Sequence, residues 1–282
     1  MSTLRHRVRW LINLPRRLLL RGKGLVRGTP CPACGSRATL NRRTILSGEL
    51  VRTWELTPEW AAWFNDREGT SCALCGCNSR SRHLAKTFVD HINGIQHTTF
   101  TSLNQVVKHP VLRSMQIAEI NACGQLHRWL AKLPGLIYSE YGSYPGIRQE
   151  DLLHLSYRDA SFDIVLTSET LEHVPDVPRA LSEIRRVLKP DGLHIFSTPV
   201  VWDRPASRAC CTIADGKISH LRPASYHGLA GTHATDMIVM TEFGADIIDM
   251  LAKAGFETRV MRDASNPALC TFVSTKPAGT PS

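Results

Sequence analysis

The hydrophobic pattern changes its period twice between residues 151 and 199. A short apolar run at 161–168, rich in β-branched residues, predicts a buried parallel strand. Apolar residues then recur every three or four positions over 171–188, with charged residues on the other face, which predicts an amphipathic helix. A Pro-Asp-Gly turn at 190–192 ends this helix, and a second apolar run at 193–199 predicts another strand. The segment therefore predicts one right-handed strand–helix–strand unit.

Four motifs occur in a fixed order in and around this unit. They are Asp151-Leu152-Leu153, Ser161-Phe162-Asp163, Leu171-Glu172-His173-Val174 and Arg186-Val187-Leu188-Lys189-Pro190-Asp191-Gly192. Their order and spacing resemble the middle of a class I S-adenosylmethionine (SAM)-dependent methyltransferase of the small-molecule type. The resemblance implies an α/β protein with a Rossmann-like, doubly wound, seven-stranded methyltransferase sheet. A helix over 245–254 and two antiparallel strands over 256–261 and 269–273 are expected to complete that sheet.

Basic residues are concentrated at the start of the chain. Of a net charge of +9, eight charges lie in the first thirty residues, where no acidic residue occurs. The remaining chain is nearly neutral, so the basic composition does not indicate a nucleic-acid-binding core.

Apolar positions are interspersed with these basic residues and interrupted by Pro15, which predicts a basic amphipathic arm over residues 1–28. Such an arm can lie on an anionic membrane surface, but its apolar stretch is far shorter than the roughly twenty residues that span a bilayer. A solvated arm and contact with nucleic acid remain alternatives. Because no secretory cleavage pattern follows, a cytoplasmic location is expected, with membrane contact limited to the periphery.

Two Cys-x-x-Cys-Gly motifs lie at 31–35 and 72–76. Their four cysteines are Cys31, Cys34, Cys72 and Cys75. The glycine lets backbone amides turn toward the sulfurs, and four thiolates complete a tetrahedron that suits Zn²⁺. The spacing predicts a small N-terminal zinc-binding module over 29–84, with two redox dithiols or disulfides as the alternative. Between the motifs, a strand over 50–56 and a helical turn over 58–64 are expected.

The other cysteines show no ligand spacing. Cys77 is a spare that can substitute for a ligand, whereas Cys123, Cys210, Cys211 and Cys270 are expected to be buried as small hydrophobic residues.

Charged residues follow the second cysteine motif. Arg80, Arg82 and His83 are candidates to bind a substrate phosphate or carboxylate, or simply to stand at the start of the next helix. A cysteine ribbon that ends in a Cys-Gly-x-x-x-Arg-x-Arg tail resembles the one that precedes the catalytic domain of bacterial methyltransferase-like proteins. The resemblance implies a SAM-dependent methyltransferase domain over 85–275, followed by a disordered tail over 276–282.

The cofactor site is expected where the first strand of the sheet, predicted over 111–120, ends. In the family an acidic residue precedes a glycine-rich turn that approaches the methionine part of SAM. Here the acid is Glu119 and the turn runs to Gly124, with Asn121 and Cys123 where glycines are usual. Asparagine tolerates a positive φ, so a reshaped turn is expected.

A second strand, predicted over 136–140, ends on Glu140. A carboxylate in this position can accept hydrogen bonds from both ribose hydroxyls, as in dinucleotide-binding folds. The resemblance places Asp151 and Leu152 beside the adenine. At the end of the strand over 161–168, the residues expected to line the cleft are Thr167, Ser168 and Glu169.

Two histidines are candidates for a general base. His173 belongs to one of the family motifs, where the Glu-His pair usually orders the wall of the cleft. His227 lies in a loop-rich insertion over 200–238, where methyltransferases commonly build the acceptor pocket. A structural histidine that holds an irregular loop is the alternative for His227.

The sequence therefore predicts an enzyme that transfers a methyl group from SAM to a hydroxyl, amine or carboxyl of a small-molecule or glycan-related acceptor. A catalytically decayed scaffold that serves as a binding module, or an RNA methyltransferase, are the alternatives. A dehydrogenase is disfavoured because no Gly-x-Gly-x-x-Gly motif follows the first strand.

Overall fold

The computed structural model describes residues 29–37, 40–226 and 238–279. The basic arm predicted for residues 1–28 lies outside the described residues, as do His227 and the end of the tail. Within the described part of the chain, none of the helices has the length and apolar character that crossing a bilayer requires.

The secondary structure alternates between strands and helices. The strands are β1 (Leu40–Asn41), β2 (Ser71–Cys72), β3 (Ile117–Ile120), β4 (Leu136–Glu140), β5 (Arg148–Gln149), β6 (Phe162–Ser168), β7 (Leu188–Ser197), β8 (Arg208–Ala209), β9 (Cys211–Ala214), β10 (Lys217–His220), β11 (Thr241–Glu242), β12 (Glu257–Arg262) and β13 (Cys270–Thr275). The helices are α1 (Gly48–Thr53), α2 (Pro58–Gly69), α3 (Ser79–Gln96), α4 (Leu103–Val106), α5 (Pro110–Ser114), α6 (His127–Leu130), α7 (Val177–Val187) and α8 (Ile247–Lys253). Short 3₁₀ turns occupy Gly124–Leu126 and Leu171–His173.

Seven of these strands form one mixed sheet in the order β12-β13-β7-β6-β3-β4-β5. The strands from β5 to β7 in this order are parallel, and β13 and β12 complete the sheet in antiparallel pairs. The order confirms the predicted seven-stranded, doubly wound sheet. The strand order reverses beside β3, which has β4 on one side and β6 on the other, and sheets of this kind bind ligands at such a point.

Apolar side chains cover both faces of the sheet. On one face, α7 contributes Leu181 and Ile184 to the core. On the other face, Leu84 and Ile92 of α3 share a hydrophobic layer with the buried cysteines of both Cys-x-x-Cys-Gly motifs. The cysteine module is therefore packed on the sheet as part of its core, and α3 runs across the boundary expected between residues 84 and 85.

The segment predicted as a strand over 50–56 is helical instead, so that prediction was wrong. The hydroxyl of Ser47 caps α1 by accepting a hydrogen bond from the N–H of Leu50 at 3.1 Å. Thr57 caps α2 in the same manner, and α2 extends well beyond the helical turn predicted for 58–64. Capping groups that satisfy the first free N–H groups start both helices, and they outweigh the strand-like composition of the segment.

In the central unit, the helix is shorter than predicted and the strand after it is longer. The carboxylate of Asp176 caps α7 by accepting from the N–H of Arg179 at 3.0 Å, so the helix begins only after the 3₁₀ turn. β7 already begins at Leu188, which pairs with Phe162 of β6. The predicted Pro-Asp-Gly turn lies in a bulge of this strand, where Asp191 adopts a φ of +60°.

The first strand of the sheet also begins later than predicted for 111–120. Pro110 occupies the first turn of α5, where its missing N–H has no cost, and the chain enters β3 only at Ile117. The strand predicted for 136–140 and the final antiparallel pair are confirmed by β4, β12 and β13.

Candidate functional site

A cavity of about 650 Å³ opens at the carboxyl edge of the parallel strands. It lies where the strand order reverses, because Ile120 of β3, Glu140 of β4 and Ser168 of β6 all line it. On the outer side, Ile213 and Ile218 of the β9–β10 hairpin line it as well. The loop-rich insertion thus contributes a wall of the cavity, whose volume is typical of small-molecule sites.

The turn after β3 contains two residues with a positive φ, Asn121 and Gly124, both at +57°. The side-chain oxygen of Asn121 accepts a hydrogen bond from the N–H of Tyr141 at 2.8 Å and so joins this turn to the end of β4. Asparagine therefore adopts a conformation that glycine usually takes, as the sequence analysis expected. Asn121 lines the cavity, whereas Gly124 is not among its lining residues.

Glu119 is fully buried beneath the turn rather than at the cavity wall. Its Oε1 accepts a hydrogen bond from the N–H of Cys123 at 2.8 Å, and its Oε2 accepts one from Nδ1 of His127 at 2.6 Å. The second hydrogen bond raises the pKa of His127. In this position Glu119 fixes the turn that lines the cavity.

Glu140 stands at the end of β4 and lines the cavity. Its Oε1 accepts hydrogen bonds from the N–H of Ala122, at 3.1 Å, and from the hydroxyl of Tyr138. Burial and the neighbouring carboxylate raise the pKa of Tyr138, which therefore remains a donor at neutral pH. These two bonds orient the carboxylate and do not use its second oxygen, Oε2.

The segment after β5 forms the adjoining wall. Asp151 and Leu152, both predicted for the cofactor site, line the cavity, and Oδ1 of Asp151 accepts from the N–H of Leu153 at 2.9 Å. Glu150 lines the cavity too and was not predicted. It is buried and accepts hydrogen bonds from Arg148, at 2.6 Å, and from neighbouring groups, so its carboxylate is engaged within the protein.

The end of β6 supplies Ser168 and Glu169 to the cavity, but not Thr167. The hydroxyl of Thr167 instead lies 2.9 Å from Nε2 of His194 on the neighbouring strand, β7. Because neighbouring residues of a strand face opposite sides, Thr167 and Ser168 do not share one wall.

Two arginines of the cysteine module reach the end of β6. Arg67 donates two hydrogen bonds to the carboxylate of Glu169, at 2.6 and 2.7 Å. Arg80 donates to Ser168 at 2.7 Å and to Glu68 at 2.8 Å. Arg80 is therefore engaged within the protein. Its neighbour His83 is also internal, 2.8 Å from Thr271.

Sequence reasoning missed Arg67, although the sequence contains a signal for it. Trp60, Phe64 and Arg67 recur at helical spacing on one face of α2, and all three are buried. A charged residue on a buried helix face indicates a buried partner, but the partner, Glu169, lies 102 residues away along the chain.

His173 also lines the cavity. Its Nδ1–H donates to the carbonyl of Ile238 at 2.8 Å, so in the neutral ring Nε2 carries the lone pair. The carboxylate of Glu172 is buried below, with Oε1 at 3.9 Å from Nε2 and Oε2 accepting from the hydroxyl of Thr198 at 2.9 Å.

The two cysteine motifs come together as predicted. The sulfurs of Cys31, Cys34, Cys72 and Cys75 all lie within 4.8 Å of one another. Sγ of Cys31 and Sγ of Cys75 are 3.8 Å apart, and a tetrahedral zinc with Zn–S bonds of about 2.3 Å separates its sulfurs by about 3.8 Å. The donor set and its spacing therefore fit zinc.

The remaining cysteines lie outside this cluster. Cys77 is buried beside it, and Cys123, Cys210, Cys211 and Cys270 are buried as free thiols, which confirms the expectation that these last four behave as small hydrophobic residues.

Part of the chain is similar to known proteins. Residues 125–196 match the family described as "Methyltransferase domain". Over 139 residues the chain is 30% identical to a malonyl-[acyl-carrier protein] O-methyltransferase of Laribacter hongkongensis, covering 49% of this chain and 37% of the relative. Over 130 residues it is 32% identical to a ubiquinone biosynthesis O-methyltransferase of Xanthomonas oryzae pv. oryzae, covering 46% of this chain and 50% of the relative. Over 46 residues it is 54% identical to a demethylmenaquinone methyltransferase of Lactobacillus johnsonii, covering 16% of this chain and 19% of the relative. The chain thus spans half or less of the length of these curated relatives.

Solved structures with a similar chain path include a SAM-dependent methyltransferase of Mesorhizobium loti, at 19% identity and a TM-score of 0.40, which covers 61% of this chain and 94% of that one. A 1,6-didemethyltoxoflavin-N1-methyltransferase of Burkholderia thailandensis has 15% identity and a TM-score of 0.38, and the match covers 68% of this chain and 86% of that one.

The sheet order and the cavity where that order reverses define a Rossmann-like α/β protein with a ligand site at the carboxyl edge of its strands. The matched domain lies on this sheet, from the turn after β3 to the end of β7. The matched domain and the order of the sheet support a class I SAM-dependent methyltransferase.

Proposed function

We propose that the protein transfers a methyl group from SAM to an oxygen or nitrogen atom of a small-molecule acceptor. The observation that carries this proposal is the convergence of the Asn121 turn and the Glu140 carboxylate on one cavity in a chain of this family. Glu140 is held by two hydrogen bonds to Oε1, and this support favours a fixed acceptor for two ribose hydroxyls.

Different walls of the cavity would contact different parts of SAM and of the acceptor. Asp151 and Leu152 would contact the adenine, and the Asn121 turn would lie beside the methionine part of SAM, which supplies an electrophilic methyl group on its sulfonium. Ser168 and His173 line the part of the cavity that is shared with the β9–β10 hairpin. Positioning of the acceptor against the methyl donor is then the main task of the protein.

His173 is our candidate for the general base when the acceptor is a hydroxyl. His173 donates from Nδ1–H to Ile238, so in the neutral ring Nε2 is the nitrogen that would take the proton lost by the acceptor oxygen as it gains the methyl group. His227, the stronger candidate from the sequence, remains a prediction because it lies outside the described residues.

The charge of the cavity bears on the acceptor. The described residues that line it include the carboxylates of Glu140, Glu150, Asp151 and Glu169, but no Lys or Arg. A phosphate-bearing acceptor would find no cationic partner there, which disfavours RNA. The apolar side chains of the hairpin favour an acceptor with a hydrocarbon or aromatic body over a glycan-related one. Small acceptors are also what the names of the quinone-related relatives suggest.

We further propose that Cys31, Cys34, Cys72 and Cys75 hold one structural zinc ion, because four thiolates leave no position for a reactive water. Peripheral contact with anionic membranes through residues 1–28 rests on the charge and the apolar pattern of that segment. Retention of the full-length and truncated proteins on anionic liposomes at low salt tests it.

Calorimetric titration with SAM and with its demethylated product, S-adenosylhomocysteine (SAH), tests the proposed function. We expect saturable binding of both ligands with one site per chain. Undetectable binding at millimolar ligand, in protein shown to be folded and zinc-replete, would instead support the alternative of a decayed scaffold.

A further inference from the structure

The cysteine module reaches the reaction cavity through a buried ion pair. Arg67, in the last turn of α2, has a side chain that is only 1% exposed, and it donates to both carboxylate oxygens of Glu169. Its Nε also donates to the carbonyl of Ala268 at 3.0 Å, next to β13. Burial alone would raise the pKa of Glu169, but the positive charges of Arg67 and Arg80 outweigh this effect and lower it. Glu169 is therefore ionised and held on both oxygens.

A second arginine of the module holds the neighbouring residue. Nη1 of Arg80 donates to the hydroxyl of Ser168 at 2.7 Å, and its Nε donates to Glu68 at 2.8 Å. Ser168 and Glu169 both line the cavity, and Glu169 adopts a left-handed φ of +54°. A residue other than glycine keeps such a conformation only where its surroundings hold it. The N–H of Glu169 donates to the carbonyl of Ser197 at 2.9 Å, and the two arginines hold the side chains of Glu169 and Ser168.

The start of α3 links Arg80 to the four-cysteine cluster. Asn78, just after the second cysteine motif, caps α3 through the N–H of Ser81 at 2.9 Å and donates to Glu68 at 2.7 Å. The N–H of Cys72 donates to the carbonyl of Cys77 at 2.9 Å, which closes the loop that carries two of the four sulfurs. The position of Arg80 therefore depends on the geometry of this loop.

The same helix start touches the cofactor turn. A Cβ placed on Gly124 would lie 3.5 Å from the hydroxyl of Ser81, and one placed on Gly76 would lie 3.9 Å from the side chain of Gln125. The second cysteine motif and α3 are thus in contact with the turn after β3 as well as with the end of β6.

We infer that Arg67 and Arg80 are positioning residues that hold Glu169 and Ser168 in the cavity, so that the four-cysteine cluster and the SAM site form one thermodynamically coupled unit. This inference rests on the proposed function. It differs from a purely structural role for the module, in which loss of the arginines would lower stability but leave the affinity of the folded protein for SAH unchanged.

The first test is calorimetric titration of SAH into the full chain and its variants. Arg80→Met removes the charged hydrogen bond to Ser168 and is expected to weaken SAH binding about tenfold. Arg80→Lys keeps the charge and should recover part of that loss. Lys86→Met is the matched control, because Lys86 lies on the same helix in an exposed pair with Asp90 and away from the cavity.

Arg67 needs a paired substitution. Arg67→Met alone leaves the Glu169 charge buried without its partner and is expected to impair folding. Arg67→Met with Glu169→Gln removes both charges, and the folded double variant should still bind SAH more weakly than the wild type.

The second test measures coupling directly. Zinc affinity is determined by equilibrium competition with a chromogenic chelator, with and without saturating SAH. We expect SAH to raise the zinc affinity of the wild type about fivefold or more, and zinc to raise the SAH affinity by the same factor, because linkage is reciprocal. In Arg80→Met this factor should fall toward one, whereas a merely destabilised protein would bind zinc more weakly and keep the factor.

The outcomes separate the two proposals. If the wild type binds SAH, the proposed function stands. The inference is then overturned if Arg80→Met binds SAH with the same affinity, or if SAH does not change the zinc affinity of the wild type. Wild-type protein that is folded and zinc-replete but binds no SAH overturns both.

Discussion

Replacement of Glu140 tests the cofactor site most directly. Its Oε1 is already used by the N–H of Ala122 and the hydroxyl of Tyr138, which fixes the side chain at the end of β4. Glu140 lines the cavity, and its second oxygen, Oε2, is not used by these two bonds. Glu140→Ala removes this acceptor, and Glu140→Gln keeps one oxygen while it removes the charge.

The expected magnitude follows from the type of bond. Hydrogen bonds to a charged group contribute about 1.5–3 kcal/mol each in net terms. Because Glu140 is only half-buried, water screens the interaction, and we expect about 1.5–3 kcal/mol for the pair of ribose contacts together. Glu140→Ala should therefore weaken SAH binding roughly tenfold to a hundredfold. Glu140→Gln should fall between the alanine variant and the wild type.

Calorimetric titration with SAH gives the dissociation constants, and a thermal melt of each variant shows that it is folded. Glu257→Gln is the control for the loss of one negative charge, since Glu257 is exposed at the edge strand β12, away from the cavity. An SAH affinity of Glu140→Ala within about twofold of the wild type would refute the assignment of the ribose contact.

Three further predictions concern other parts of the site. Purified protein should contain one zinc per chain by elemental analysis, and Cys75→Ser should lower both the zinc content and the melting temperature; a folded, zinc-free wild type would contradict this. For a hydroxyl acceptor, His173→Asn should lower kcat by about 10²-fold or more while the SAH affinity stays unchanged, and an unaltered kcat would exclude His173 as the base. The hydrogen bond to Glu119 raises the pKa of His127, so the stabilisation it gives is full below the unfolded-state pKa and is lost as pH rises through the folded-state pKa. His127→Gln should therefore lower the melting temperature more at pH 6 than at pH 8.5, and an equal effect at both values would argue against that charged pair.

Much of the fold could be predicted from the sequence, because the signals for it are local. The strands β4 and β13 follow from short apolar runs, and the four-cysteine cluster follows from two motifs of the same Cys-x-x-Cys-Gly pattern. The positive φ of Asn121 follows from its residue type in a turn where glycine is usual. Where local signals compete, prediction failed: the capping hydroxyl of Ser47 made a helix of a segment with strand-like composition.

Only the tertiary structure decided which polar groups meet. The cavity could not be predicted in detail, since its walls come from strand ends, an insertion and the segment after β5. Alternation along β6 turned Thr167 toward His194 and left Ser168 in the cavity. The pairing of Arg67 with Glu169 spans 102 residues of sequence. A buried charge needs a buried partner, and the packing of elements that are distant in sequence determines which residue that is. The periodicity of the sequence indicates that the charge is buried but not which residue pairs with it.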